Sequence, residues 1–172
     1  ILFYVFVYTI WLKRKTPQNI VIGGASGALP PVIGWAIATN SISLESIAFF
    51  LIIFFWTPSH FWALSLYKAD DYKKAGIPML PVTNGIQNTK KNILIYSLLM
   101  IPTIVFPYYI GFVGEVYLSL SLLLTFYYNL ICYQLYNYKV GKFNIKKARH
   151  IFSYSIIYLF LIFVFFLVDK II

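Results

Sequence analysis

The sequence predicts an all-α fold, a polytopic transmembrane helix bundle, on three observations. Of 172 residues 60% are hydrophobic and only 11% charged, where a soluble domain carries roughly a quarter of its residues as Asp, Glu, Lys and Arg. Those few charges separate long uncharged stretches. Thirteen of the 14 basic residues gather on alternate connections, while the 5 acids are scattered. With a mean hydropathy of +0.78, these features exclude soluble enzyme folds and disordered tails.

Taken from charge to charge, the stretches are Ile1–Leu12, Pro17–Ile42, Ser46–Tyr67, Asn92–Gly114, Val116–Tyr138 and Ile151–Val168. A helix rises about 1.5 Å per residue and needs about 20 residues to cross a ~30 Å hydrocarbon core. The first stretch is therefore the end of a span, and the other five are complete spans. Their continuous apolar character selects helices over a barrel, whose strands alternate in and out. Small residues at Gly23, Gly24, Ala25, Ser26, Gly27 and Ala28 suit close helix contact or a substrate surface, and the sequence leaves both open. Pro30, Pro31, Pro58 and Pro102 predict kinked or unwound helices. Cys132 is alone in an apolar stretch and reads as inert. Ile1 opens inside a hydrophobic run, without an initiator Met or the pattern of a signal peptide. The expectation is one transmembrane domain, 1–172, that is a fragment.

The first, third and fifth connections carry Lys13, Arg14 and Lys15, then Lys68, Lys73, Lys74, Lys90 and Lys91, then Lys139, Lys142, Lys146, Lys147 and Arg149. The second and fourth carry only Glu45 and Glu115. The positive-inside rule places the odd connections in the cytoplasm and the C-terminus, after Asp169 and Lys170, outside. The net charge of +9 is thereby explained by topology and by contact with an anionic leaflet, with no nucleic-acid partner required.

No acid lies at mid-depth, which weighs against an ion-coupled transporter. Asp70 and Asp71 instead stand just past the inner end of the third stretch, with Lys68, Lys73 and Lys74 beside them. If that helix continues, His60, Tyr67 and Asp71 share one face, Tyr67 and Asp71 each within about 20° of His60, and point from the aqueous rim into the bundle. A charged head with an apolar body fits that stripe, as in a polyprenyl diphosphate. Asp oxygens are hard ligands that bridge Mg²⁺ to substrate phosphates. Adjacent aspartates on a helix diverge by about 100°, so a full cage needs further carboxylates from elsewhere. A solvated helix end is the alternative for the acid pair, and packing is the alternative for His60.

Three segments carry a resemblance: Tyr8 to Gly24 around Lys13-Arg14-Lys15-Thr16-Pro17-Gln18-Asn19, then Pro30-Pro31-Val32-Ile33-Gly34-Trp35, and above all Thr57 to Pro81. In order and spacing they resemble the protoheme IX farnesyltransferase (heme O synthase) family of intramembrane prenyltransferases, over the whole chain. The resemblance implies the later helices of a nine-helix fold, with the first Asp-rich motif upstream and Asp70–Asp71 as the second. It implies transfer of a farnesyl group from farnesyl diphosphate to a vinyl of heme B, with Asp70 and Asp71 as catalytic residues holding Mg²⁺. Implied substrate-binding residues are His60, Tyr67, Lys68, Lys73, Lys74, Lys13 and Arg14, with His60 at the heme end. A bacterial inner membrane, a cytoplasmic active face and heme A synthase as a downstream partner follow from it too. Ser59 stands where the family commonly has a second proline, and Lys68-Ala69 where Arg-Lys is usual. The alternatives are a prenyltransferase for a quinone precursor and a non-catalytic lipid-binding subunit.

Overall fold

A computed structural model describes residues 2–142 and 144–172; Ile1, which opens the first predicted stretch, lies outside them. In chain order come an N-terminal helix (Phe3–Leu12), α1 (Asn19–Thr39), α2 (Leu44–Tyr67), α3 (Ala69–Lys74), α4 (Leu80–Thr83), α5 (Gly85–Tyr109), α6 (Glu115–Tyr136) and α7 (Ile145–Ile171). No strand occurs among the described residues. Helices α1, α2, α5, α6 and α7 are long and apolar enough to cross a membrane. In hydrocarbon every backbone N–H and C=O must find its partner within the segment, and the helix does this for these runs. The protein is an integral membrane helix bundle.

Helices α2, α5, α6 and α7 close into a ring, each packed on the next, while α1 lies outside against α2 and the N-terminal helix lies against α1. The ring is filled by Ile52, Trp62, Met100, Ile104, Tyr128 and Tyr158. Polar pairs cross it: Ser59 Oγ with Tyr128 OH at 2.8 Å, and Thr125 Oγ1 with Tyr158 OH at 2.9 Å. Such bonds average only about 0.6 kcal/mol inside a bilayer. Their effect is to fix the rotation of each helix.

Contacts at the two ends establish the alternation of the connections. At the basic end the buried Lys90 donates from Nζ to the Tyr138 carbonyl at 2.5 Å and to that of Lys139 at 3.4 Å. At the other end the Asp169 carboxylate accepts from the Gly114 N–H at 2.6 Å and the Tyr117 N–H at 3.0 Å. Lys170 Nζ there donates to the Phe112 carbonyl. Lys13, Lys90 and Lys139 thus share one end, and the C-terminus lies at the other.

Four details depart from the sequence expectation. The helices stay wound through Pro30, Pro31, Pro58, Pro102 and also Pro107, so of the two expected outcomes, kinking or unwinding, the unwinding does not occur. A proline costs a helix about 3 kcal/mol, whereas unwinding in hydrocarbon exposes several polar groups at several kcal/mol each, so winding is kept. Helices α5 and α7 begin well before the apolar runs, at Gly85 and Ile145, because lysines near a span end extend to the interface. Asn144 caps α7, its Oδ1 accepting from the Lys146 N–H at 2.9 Å and the Lys147 N–H at 3.3 Å. The N-terminal helix is wound wide, with the Lys13 N–H donating to the Tyr8 carbonyl at 2.8 Å. Finally, the helix carrying His60 and Tyr67 does not continue to Asp71. Lys68 leaves helical geometry at φ −114°, ψ 17°, and α3 restarts at Ala69. The single-face stripe is therefore broken between Tyr67 and Asp71.

Candidate functional site

Two cavities lie between the N-terminal helix, α1, α2 and the chain after α3, and they share Tyr8, Ile20 and Phe61 as walls. The deeper one, about 270 Å³, is floored by Gly23, Gly24 and Gly27 and walled by Ile53 and Trp56. The rim cavity, about 200 Å³, adds Lys13, Asn19, Tyr72, Ile77 and Met79. The pair runs from a polar mouth at the basic end into an apolar interior.

The small-residue run of α1 serves packing and surface at once. A Cβ on Gly24 would lie 3.1 Å from Thr57 Cγ2, so this glycine sets the approach of α1 to α2. A Cβ on Gly23 would lie 2.5 Å from the Tyr8 ring, so this one seats the N-terminal helix. On Gly27 it would meet nothing within 4 Å. Gly27 is cavity surface.

Beside the rim cavity, α3 carries Asp70 and Asp71 in its first turn, both exposed and neither part of the cavity lining. Lys68 Nζ lies 3.0 Å from Asp71 Oδ2, with the two side chains 53% and 64% exposed. An exposed pair of this kind holds together by about 0–1 kcal/mol, so a stronger ligand can take the carboxylate. Tyr72 follows directly and is half-buried in the rim cavity. Burial pushes its phenol up from the ordinary range, Tyr67 and Asp71 add to the rise, and Lys68 opposes it. Its hydroxyl stays protonated and can donate to an anion. Lys13 lines the same cavity, its Nζ 5.9 Å above the Tyr8 ring. Arg14, Lys73 and Lys74 are exposed around that end. Among the described residues no three His, Cys, Asp or Glu cluster as a metal site, so Asp70 and Asp71 supply two hard oxygen donors and no closed cage.

His60 and Tyr67 line neither cavity. His60 is buried and sandwiched between Trp56 and Phe152, with ring centroids at 4.3 and 4.6 Å, and its Nδ1 lies 2.7 Å from Ser155 Oγ. Trp56 Nε1 donates to the Ser155 carbonyl at 2.8 Å and presents its ring to the deep cavity. His60 therefore reaches the cavity wall through Trp56. Tyr67 stands nearer the rim, with the Arg149 guanidinium 5.5 Å from its ring centroid.

Sequence reasoning missed Tyr8, Asn19, Tyr72 and Arg149. Tyr72 adjoins the acid pair and Asn19 is an amide, next to Gln18, at the start of a span, so both were open to notice. Arg149 meets Tyr67 only through the packing of α2 against α7. A further cleft of about 400 Å³ between α5 and α6, lined by Leu94, Leu98, Phe126, Asn129, Leu130 and Tyr133, has no charged wall and carries no chemistry.

A mouth with a basic side chain that opens into an apolar cleft within a membrane bundle has the shape and polarity to accept an amphiphile with an anionic head. The family model of the UbiA prenyltransferase family matches residues 1–157, and the chain belongs to that family. Similar curated relatives are named protoheme IX farnesyltransferase. That of Pelagibacter ubique is 76% identical over 99% of this chain and 56% of its own length. That of Parvibaculum lavamentivorans is 50% identical over 99% and 54%, and that of Azorhizobium caulinodans 53% identical over 95% and 53%. The chain thus spans about half the length of these relatives. No solved structure gives a significant match.

Proposed function

We propose that the full-length protein transfers the farnesyl group of farnesyl diphosphate to a vinyl group of heme B, giving heme O for heme A and cytochrome oxidase biogenesis. The observation that carries this reading is the cleft itself, with Lys13 and Tyr72 at its rim and an apolar wall from Ile20 to Gly27, next to the exposed acid pair that precedes Tyr72 on α3. The names of the relatives supply the choice of prenyl group and acceptor.

In this reading the diphosphate lies at the rim and the tail lies along Gly27, Ile53 and Trp56. Lys13, Arg14, Lys68, Lys73 and Lys74 surround the anion with positive charge, and Tyr72 donates a hydrogen bond to it. Asp70 and Asp71 would hold Mg²⁺, which when bound neutralises charge on the departing diphosphate. The aromatic faces of Tyr8 and Phe61, where the cavities share a wall, favour positive charge developing on the allylic carbon. His60 and Tyr67 belong to the heme end, His60 as a positioning residue that sets the Trp56 ring. The basic end faces the cytoplasm of a bacterial inner membrane, by the positive-inside rule, and heme A synthase would take the product.

The test uses the full-length gene product in a lipid bilayer with farnesyl diphosphate and heme B, and heme O is measured by mass. Chelation of Mg²⁺, Asp70→Asn or Asp71→Asn should each remove most of the product while insertion persists. Undiminished heme O in both variants would remove the acid pair from the mechanism.

A further inference from the structure

A pocket of about 240 Å³ opens between α6 and α7 at the basic end of the bundle, lined by Ile131, Gln134, Lys146, Lys147 and His150. The Asn144 cap starts α7 at Ile145. Lys146 and Lys147 then stand four and three residues before His150, so all three share one face of that helix. Two ties hold the walls together. The Tyr127 hydroxyl and His150 Nε2 lie 3.0 Å apart, and the Tyr154 hydroxyl donates to the Leu124 carbonyl at 3.0 Å. Between these ties the Tyr127 and Tyr154 rings meet edge to face, with centroids at 4.9 Å. The seam of two neighbouring helices thus sets the shape of the pocket.

Its charge is of one sign. The acids of the two helices, Glu115 and Asp169, lie at their far ends, and the chain from Asn137 to His150 carries Lys139, Lys142, Lys146, Lys147 and Arg149 with no acid. Arg149 is directed elsewhere, over the Tyr67 ring of α2, so this pocket is separate from the candidate site. Two ammonium groups with the amide of Gln134 beside them attract a phosphate oxygen by charge and by N–H donation. The remainder of the wall is apolar, through Ile131 and the methylene stems of the lysines. Such a wall does nothing for a free phosphate ion. A phospholipid uses both parts, its head among the lysines and its glycerol and upper chains against Ile131 and Tyr127. Basic pockets between membrane helices are sites for anionic head groups.

We propose that the pocket between α6 and α7 binds the phosphate-bearing head group of an anionic phospholipid, with Lys146 and Lys147 on the phosphate. This site is independent of the transfer reaction proposed above. The bound lipid bridges the two helices at their basic end.

The test places the full-length protein in phosphatidylcholine vesicles doped with a phosphatidylglycerol that carries a diazirine near its head, and maps the label by peptide. Label should fall on α6 near Ile131 and Gln134 and on the first turns of α7. Unlabelled phosphatidylglycerol should compete it away, and phosphatidylcholine should not. Lys146→Gln with Lys147→Gln should weaken that competition about 30-fold, the weight of two basic side chains at an anionic surface. Lys146→Arg with Lys147→Arg should keep it near wild type, a rescue that sets head-group binding apart from a folding defect. Lys139→Gln with Lys142→Gln removes the same charge from the same connection outside the pocket, and should also leave it near wild type. Equal weakening in the two glutamine pairs would reduce the effect to diffuse attraction by the leaflet and overturn the site. Label that spares α6 and α7, or failure of the arginine pair to retain it, would overturn it as well. Competition by inorganic phosphate as strong as that by the lipid would overturn the lipid assignment in favour of the free ion.

Discussion

Gly27→Leu separates a substrate surface from a packing surface on one helix. A Cβ at Gly27 meets nothing within 4 Å, so the leucine enters the deep cavity without disturbing α1 against α2. In water, the tail methylenes it displaces would each cost about 0.8 kcal/mol. Here they move into lipid as apolar as the cavity, so the transfer term largely vanishes and alignment of the reacting carbon is what suffers. Misplacement by about 1 Å costs up to roughly 100-fold in rate. Gly27 lies seven residues, about 10 Å, along α1 from Ile20, so the later isoprene units meet the leucine and the first does not. Initial rates with farnesyl and dimethylallyl diphosphate should show kcat/KM for farnesyl falling by tens to 100-fold, with the short substrate little changed. Gly24→Ala is the counterpart, with its Cβ 3.1 Å from Thr57. It should lose about 1–3 kcal/mol of stability through overpacking and affect both substrates alike. Equal losses for the two substrates in Gly27→Leu would refute the cavity as the tail site.

His60→Ala should weaken heme use more than farnesyl diphosphate use, and His60→Phe, which keeps a ring between Trp56 and Phe152, should recover most of it; failure of the phenylalanine to rescue would give the imidazole a direct role. A cysteine at the exposed Asn88 and one at the exposed Asn40 should be labelled from opposite sides by an impermeant maleimide, because the connections alternate; labelling from one side would overturn the topology. Lys90→Met strips the Tyr138 and Lys139 carbonyls of their donor and should destabilise by about 1–3 kcal/mol. A thermal melt in detergent would read it, and an unchanged midpoint would show the α5 to α6 tie to be without weight.

The spans were legible because the bilayer imposes a length on apolar runs and sorts lysines to one side. The ends of α5 and α7 were not, since helix winding continues past the last apolar residue wherever lysine stems reach the interface. The acid pair was legible as chemistry, being two hard ligands among lysines. The His60 stripe misled because helical periodicity was carried across Lys68, a break that no proline or glycine announces. His60 itself could not be placed from sequence, for Phe152 and Ser155 hold it from α7, far along the chain. The run from Gly23 to Ala28 gave smallness without direction; only the packed neighbours distinguish Gly24 from Gly27.

The most direct test of the central claim is photolabelling with a farnesyl diphosphate analogue carrying a diazirine at the tail end, followed by peptide mapping of the full-length protein. Label that farnesyl diphosphate competes away should fall on α1 near Gly27 and on α2 at Ile53 or Trp56. Competed label on Leu98, Phe126 or Leu130, in the cleft between α5 and α6, would contradict it.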